Sequence, residues 1–309
     1  MSPRNLVVVA VFALFTTACG SAATADTPVS TGPSAATAFP VTIETANGSV
    51  TIEGRPERIV SLSPTSTEVL FAIGAGSQVV AVDDQSNYPD SAPVADLTGF
   101  DPNLEAIAGY GADLVVLMYD PGEVVDGLQA LGIPALLLPA AGTLNDAYGQ
   151  IETTGAATGH VDEAGVLVES MKGEIAGVAE TTDGGGATYF HEISPDYYTA
   201  TSATFVGSLY EMLGLANIAD SADPDGFGYP QLSGEHILAE DPSLVFLADT
   251  TCCDQNAATV GERPGWDSLS AVKEGAIIEL DDDIASRWGP RVVTLVESIA
   301  SAVQAQAAQ

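Results

Sequence analysis

Val41-Thr42-Ile43-Glu44-Thr45 and Ser49-Val50-Thr51-Ile52-Glu53 alternate apolar and polar residues on either side of Asn47-Gly48. A period of two flanking an Asn-Gly step predicts a β-hairpin with one packed and one wet face. Beyond it the period changes. Unbroken runs of Val, Ile and Leu predict buried strands at 58–62, 78–82, 114–118 and 135–138. Helical stretches at 66–73, 103–108 and 124–131 separate them. Buried strands alternating with helices predict a parallel sheet covered on both faces.

Residues 146–180 follow a helical pattern, interrupted between Gly155 and Gly159. The part from Asp162 to Glu180 implies a rod on the order of 30 Å at the helical rise per residue. Asp183-Gly184-Gly185-Gly186 ends it, and a second alternation follows. Strands are predicted at 188–193, 244–247 and 276–280, and helices at 205–213, 235–239 and 291–303. The predicted fold is α/β: two Rossmann-like lobes with parallel-sheet cores, joined by one long rigid α-helix. The boundaries are a first lobe at 41–157, a connecting helix at 158–182 and a second lobe at 183–309.

One pattern occurs in both lobes. Leu104-Glu105-Ala106-Ile107 precedes Leu114-Val115-Val116-Leu117, and Gly234-Glu235-His236-Ile237 precedes Leu244-Val245-Phe246-Leu247. Each Glu falls in the first turn of a short helix that feeds a strand. The helix dipole alone favours a carboxylate there.

The N-terminus has another character. Residues 6–15 are uninterrupted apolar positions behind Arg4. A bilayer span needs roughly 20 residues, so this run predicts an export signal. It ends in Thr16-Thr17-Ala18-Cys19-Gly20, which resembles a bacterial lipoprotein processing site. The expectation is a signal peptide at 1–18 and a lipid on Cys19, with two acyl chains giving a stable anchor. Residues 19–40, rich in Ala, Thr, Ser, Gly and Pro, form the predicted tether. The chain then works at the outer face of the cytoplasmic membrane, where disulfides are allowed.

Charge narrows the partners. The chain carries 42 acidic and 8 basic side chains, a net −34, which excludes general nucleic-acid binding. With 46% apolar residues it can still bury a large core. Basic residues are correspondingly rare, 2 Lys and 6 Arg. Two of the six Arg lie in Ser286-Arg287-Trp288-Gly289-Pro290-Arg291, beside one of only two Trp, with Pro290 expected in the first turn of the last helix. Arg offers a fixed fork for oxygen-rich groups and Trp a flat face. A pairing of Arg287 with Asp281, Asp282 or Asp283 is the alternative.

Ligands of open α/β sheets bind beyond the carboxyl ends of the strands. Tyr88, Tyr119 and Tyr198 fall in such segments, and with Arg287 and Trp288 they suit a cleft for a large, partly apolar ligand. Cys252-Cys253 forms either a vicinal disulfide or a pair of free thiols. The three histidines, His160, His191 and His236, are dispersed, so no metal site is expected. Catalytic motifs are lacking: no Gly-x-Ser-x-Gly elbow, no Walker loop, no His-Glu-x-x-His.

The run Arg58-Ile59-Val60-Ser61-Leu62-Ser63-Pro64-Thr65-Ser66-Thr67-Glu68 resembles the opening signature of the iron-siderophore and vitamin B12 binding proteins of ABC importers. Asn87-Tyr88-Pro89, Asn103-Leu104-Glu105-Ala106-Ile107 and Asp113-Leu114-Val115 continue the resemblance. Tyr229-Pro230-Gln231-Leu232-Ser233-Gly234-Glu235 and Gly289-Pro290-Arg291 carry it into the second lobe. It implies a metal chelate held between the lobes, an iron-siderophore or a corrinoid, and delivery to a permease dimer with its ATPase. It also implies that Glu105 and Glu235 dock on the permease subunits. Tyr198, Tyr229 and Arg287 match cleft positions of the B12-binding members, whose cleft tryptophans are not reproduced near Phe100 and Met118. A pair of cleft arginines, typical for ferric catecholates, is not evident in the first lobe. The expectation is a monomeric, lipid-anchored binding protein with no cofactor and no catalysis. The alternatives are a binding protein for a bare transition-metal ion or haem, and an extracellular hydrolase or thiol-redox enzyme using Cys252-Cys253.

Overall fold

The computed structural model describes residues 38–308. The export segment, Cys19 and the tether up to Thr37 lie outside the described residues. A hairpin opens the fold, β1 (Val41–Thr45) antiparallel to β2 (Gly48–Ile52). Its register pairs Thr45 with Gly48, so the turn is Ala46-Asn47, one position earlier than the sequence pattern predicts. Asn47 has a tertiary use: its amide donates to the Ala135 carbonyl and accepts from the Leu137 N–H. It thereby satisfies the free edge of the first sheet.

The first lobe follows as β3 (Ile59–Leu62), α1 (Pro64–Ala72), β4 (Val79–Val82), α2 (Leu104–Gly109), β5 (Leu114–Leu117), α3 (Val124–Ala130) and β6 (Ala135–Leu137). All its strand pairs are parallel, in the spatial order β4-β3-β5-β6. Both middle strands, β3 and β5, are wholly buried, as their continuous Val, Ile and Leu content requires.

Two antiparallel-packed helices lead out of the lobe, α4 (Leu144–Thr158) and α5 (Val161–Thr181). Thr143 and Asp146 form a reciprocal capping box at the start of α4. Gly159 ends α4 in the left-handed conformation. Where α5 begins, a Cβ on Gly155 would lie 2.4 Å from the Ala164 Cβ, so only glycine permits this approach. The connecting helix is α5, whose 21 residues span about 30 Å. It starts three residues later than the sequence boundary, because Gly159 breaks the helical run.

The second lobe contains β7 (Thr188–Glu192), α6 (Phe205–Met212), β8 (Ala216–Asn217), α7 (Gly234–Glu240), β9 (Leu244–Leu247), α8 (Ala257–Gly261), α9 (Ser270–Glu274), β10 (Ile277–Glu279), α10 (Asp282–Ser286) and α11 (Val292–Ala307). Its parallel strands lie in the order β8-β7-β9-β10. Both sheets therefore place their own second strand at one edge, then the first, third and fourth. One core runs through both lobes, from Val69 and Leu70 of α1, through Val168 and Met171 of α5, to Leu295 and Val296 of α11. Pro290 sits outside α11, just before its N-cap Arg291, rather than in the first helical turn.

Candidate ligand-binding cleft

The shared strand order defines where a ligand fits. In each sheet the switch point lies between the first and third strands, and ligands bind outside the carboxyl ends there. For the first lobe this is the space beyond β3 and β5. A cavity of about 280 Å³ occupies it, with Leu62, Pro64, Asp83, Gln85, Phe100 and Met118 among its first-lobe walls. Asp283, Ser286, Arg287 and Trp288 supply walls from the second-lobe segment. A space of this size accepts an edge or side arm of a larger ligand, since drug-sized molecules need roughly 300–1,000 Å³.

Arg287 and Trp288 line this cavity, and both are already engaged across the lobes. Arg287 Nη1 donates to Glu68 Oε1 at 2.8 Å and to Asn87 Oδ1 at 3.1 Å. Its Nη2 donates to the Gln85 carbonyl at 3.0 Å and to Asp283 at 2.6 Å. The Asp283 pairing is the one the sequence offers four residues away. Glu68 is not legible locally, because it lies 219 residues distant. Arg291 also binds Glu68, which is 2% exposed and so sits between two guanidinium groups. The Trp288 indole N–H donates to Gln150 of α4 at 2.9 Å.

Tyr88 is placed elsewhere. Its ring lies under the Arg291 guanidinium at 4.3 Å, in a separate groove bounded by α1, α5 and α11. The expectation that it faces the cleft is not met, because the Asn87-Tyr88 turn aims Asn87 at Arg287 and Asp283 instead. Tyr119, Tyr198 and Tyr229 are partly exposed and lie outside the cavity walls. Tyr198 and Tyr229 belong to two loops joined by a bridge between Tyr198 and Gln231 and by the Thr199 N–H on the Pro230 carbonyl. Adjacent Tyr197 is structural, stacked on Trp266 with ring centroids 5.8 Å apart.

The second lobe carries a buried charge cluster at its own switch point, which sequence reasoning missed. Glu192 ends β7 and Asp249 follows β9, both 0% exposed. Arg263 holds Glu192 by two hydrogen bonds of 2.6 and 2.5 Å and also reaches Gln255. Neither Asp249 oxygen receives a donor from the described residues. Burial, then the charge of Glu192, push the Asp249 carboxyl up to about 7. Folded Asp249 thus keeps a proton that the unfolded chain loses near its ordinary value. Stability from this group is full below about pH 4 and is lost as pH rises towards 7. Asp249→Asn is expected to flatten that part of the profile. At pH 8 it should stabilise the protein by about 1–3 kcal/mol, the cost of an unpaired buried group. Denaturant titrations of both proteins between pH 4 and 8 check this; parallel profiles contradict it.

His191 is a core residue. It is 2% exposed, shares a 2.9 Å hydrogen bond with the Tyr210 hydroxyl, and burial lowers its pKa to about 4. Cys252 and Cys253 pair as a vicinal disulfide in the loop after β9. Asp282 accepts the Thr251 and Cys252 N–H groups and fixes this loop. Among the described residues, no three His, Cys, Asp or Glu side chains converge to hold a metal ion.

Glu105 and Glu235 occupy equivalent places. Each is exposed in the first turn of a short helix, α2 or α7, that precedes the third strand of its sheet. Asn103 caps α2 and Ser233 caps α7 in the same way, by accepting the N–H three residues on. Ile107 and Ile237 anchor the two helices to the core.

The family described as periplasmic binding protein matches residues 59–284. An uncharacterized ABC transporter substrate-binding lipoprotein of Bacillus subtilis, YvrC, is 32% identical over 277 residues, covering 86% of each chain. A cobalamin-binding protein of Halobacterium salinarum is 28% identical, over 96% of this chain and 83% of its own. A solved ABC-type Fe3+-hydroxamate transport system from Saccharomonospora viridis has a TM-score of 0.66 at 25% identity, over 86% of this chain and 99% of the other. These matches extend through both lobes and the connecting helix, and the chain belongs to the periplasmic binding protein family.

Proposed function

We propose that this protein captures a metal chelate between its lobes and delivers it to the permease of an ABC importer, held to the membrane by lipid on Cys19. As a member of its family it is a binding protein and not an enzyme. The observation that carries the reading is the cavity at the first switch point, walled by residues of both lobes. Its walls mix flat apolar surface, Phe100, Met118 and Trp288, with polar groups, as suits a bulky chelate with a polar rim. Tyr119, Tyr198 and Tyr229 extend the contact at the rim, and Glu105 and Glu235 meet the two permease subunits.

The named functions of the cobalamin-binding and Fe3+-hydroxamate relatives support a metal-chelate ligand. The scarcity of converging metal ligands among the described residues argues against a bare ion. Native mass spectrometry after incubation with cyanocobalamin, a ferric hydroxamate, haem or ferric ion tests the proposal. A one-to-one complex with cyanocobalamin or the hydroxamate is the expected result. Retention of the bare ion alone, or of none of the four, overturns it.

A further inference from the structure

Asp83 is the first residue after β4 and lines the cavity, yet it is only 1% exposed. Its backbone N–H donates to the Ser61 carbonyl at 3.0 Å, which fixes its position beside β3. Its Oδ1 is buried and receives no donor from the described residues. A buried acceptor without a donor is costly, so a ligand that supplies one gains affinity. Burial raises the pKa of the group, against the opposing hydrogen bonds of Ser86 and Gln85.

Gly99 lies against the Asp83 carboxylate, where only a residue without a side chain fits. A Cβ at that position would lie 2.9 Å from Asp83 Oδ2 and 2.8 Å from the Leu62 carbonyl oxygen. Nearby positive charge is already committed. Arg287 is held by Glu68 and Asp283, Arg291 by Glu68, and Arg263 by Glu192. Arg58 turns to the Tyr110 and Gly111 carbonyls at the amino end of β3, away from the cavity. An anionic ligand would meet Asp83 and Asp283 without an uncommitted guanidinium to balance it.

We infer that Asp83 is a ligand-contacting, specificity-determining residue that accepts a hydrogen bond from a peripheral N–H or O–H of the chelate. The cleft therefore takes neutral or cationic chelates whose rim carries amides or amines, and rejects those with a carboxylate or catecholate rim. This rests on the chelate-binding function proposed above.

Two probe pairs test it by calorimetry. Dicyanocobinamide carries primary amides where cobyrinic acid carries carboxylates; ferrioxamine B is cationic where ferric enterobactin is a catecholate anion. The wild-type protein is expected to prefer the amide or amine member of at least one pair by tenfold or more. Asp83→Asn, nearly isosteric, should weaken that member by about tenfold and narrow the preference, and Asp83→Ala should do the same. Wild-type preference for an anionic member, or unchanged affinities in both variants, overturns the role of Asp83 and leaves chelate binding standing. Failure of the wild-type protein to bind any of the four probes overturns both.

Discussion

Glu68→Ala is expected to destabilise the protein by about 3–5 kcal/mol, the usual cost of removing one partner from a buried ion pair. Glu68 lies inside α1 with 1% of its side chain exposed, and both carboxylate oxygens are used. Arg287 and Arg291 bind it from the far end of the chain at 2.8 and 2.6 Å. Its loss leaves two guanidinium groups sharing Asp283 and the ring of Tyr88. Because Glu68 belongs to the first lobe and the arginines follow the second sheet, the change also loosens the lobes. Glu68→Gln keeps an acceptor but no charge, so a smaller loss is expected. Urea titration of the three proteins measures it, and a change under about 1 kcal/mol for Glu68→Ala contradicts the burial argument.

Reversal of Glu105 and Glu235 together to arginine is expected to abolish uptake while ligand affinity stays unchanged. Both carboxylates are exposed, on capped helices at equivalent points of two sheets of the same order. A charge-assisted hydrogen bond contributes about 1.5–3 kcal/mol, so each single reversal should weaken docking by roughly 10- to 100-fold. Neither residue lines the cavity, which separates docking from capture. Uptake of labelled chelate by cells carrying each variant, alongside affinities of the purified proteins, provides the check. Normal uptake by the double variant overturns the docking role.

Much of the architecture is readable in the chain because the strands are buried on both faces. Leu114–Leu117 and Leu244–Leu247 are continuous apolar runs, and burial on both faces of a sheet is what favours such short ones. The strand β8 is not readable: it is two residues, Ala216–Asn217, half exposed and without an apolar signature. The helix α10 hides in an acidic stretch that looks like a loop, although Asp281 caps it by accepting the Ile284 N–H. The paired glutamates are visible because the motif around each is local.

The cleft is less legible, for a physical reason. A carboxylate directly after a strand reads as solvated loop, so Asp83 and Asp249 give no sign of their burial. Burial there depends on chains that close over them from elsewhere, Gly99 beside Asp83 and Arg263 near Asp249. Arg287 was findable from scarcity of basic residues, yet its principal partner Glu68 comes from the other lobe. Tyr88 shows the reverse limit, an aromatic in the expected segment whose face is taken by Arg291.

The most direct measurement uses the protein's only two tryptophans. Trp266 is buried in the second lobe, whereas Trp288 lines the cavity. In the Trp266→Phe protein the remaining fluorescence comes from Trp288. Titration with cyanocobalamin and with ferrioxamine B, corrected with a Trp288→Phe control, reports a chelate in the cleft. Saturable quenching at one chelate per protein is the expected result for at least one of them. Unchanged Trp288 fluorescence with both, at millimolar chelate, would contradict capture between the lobes.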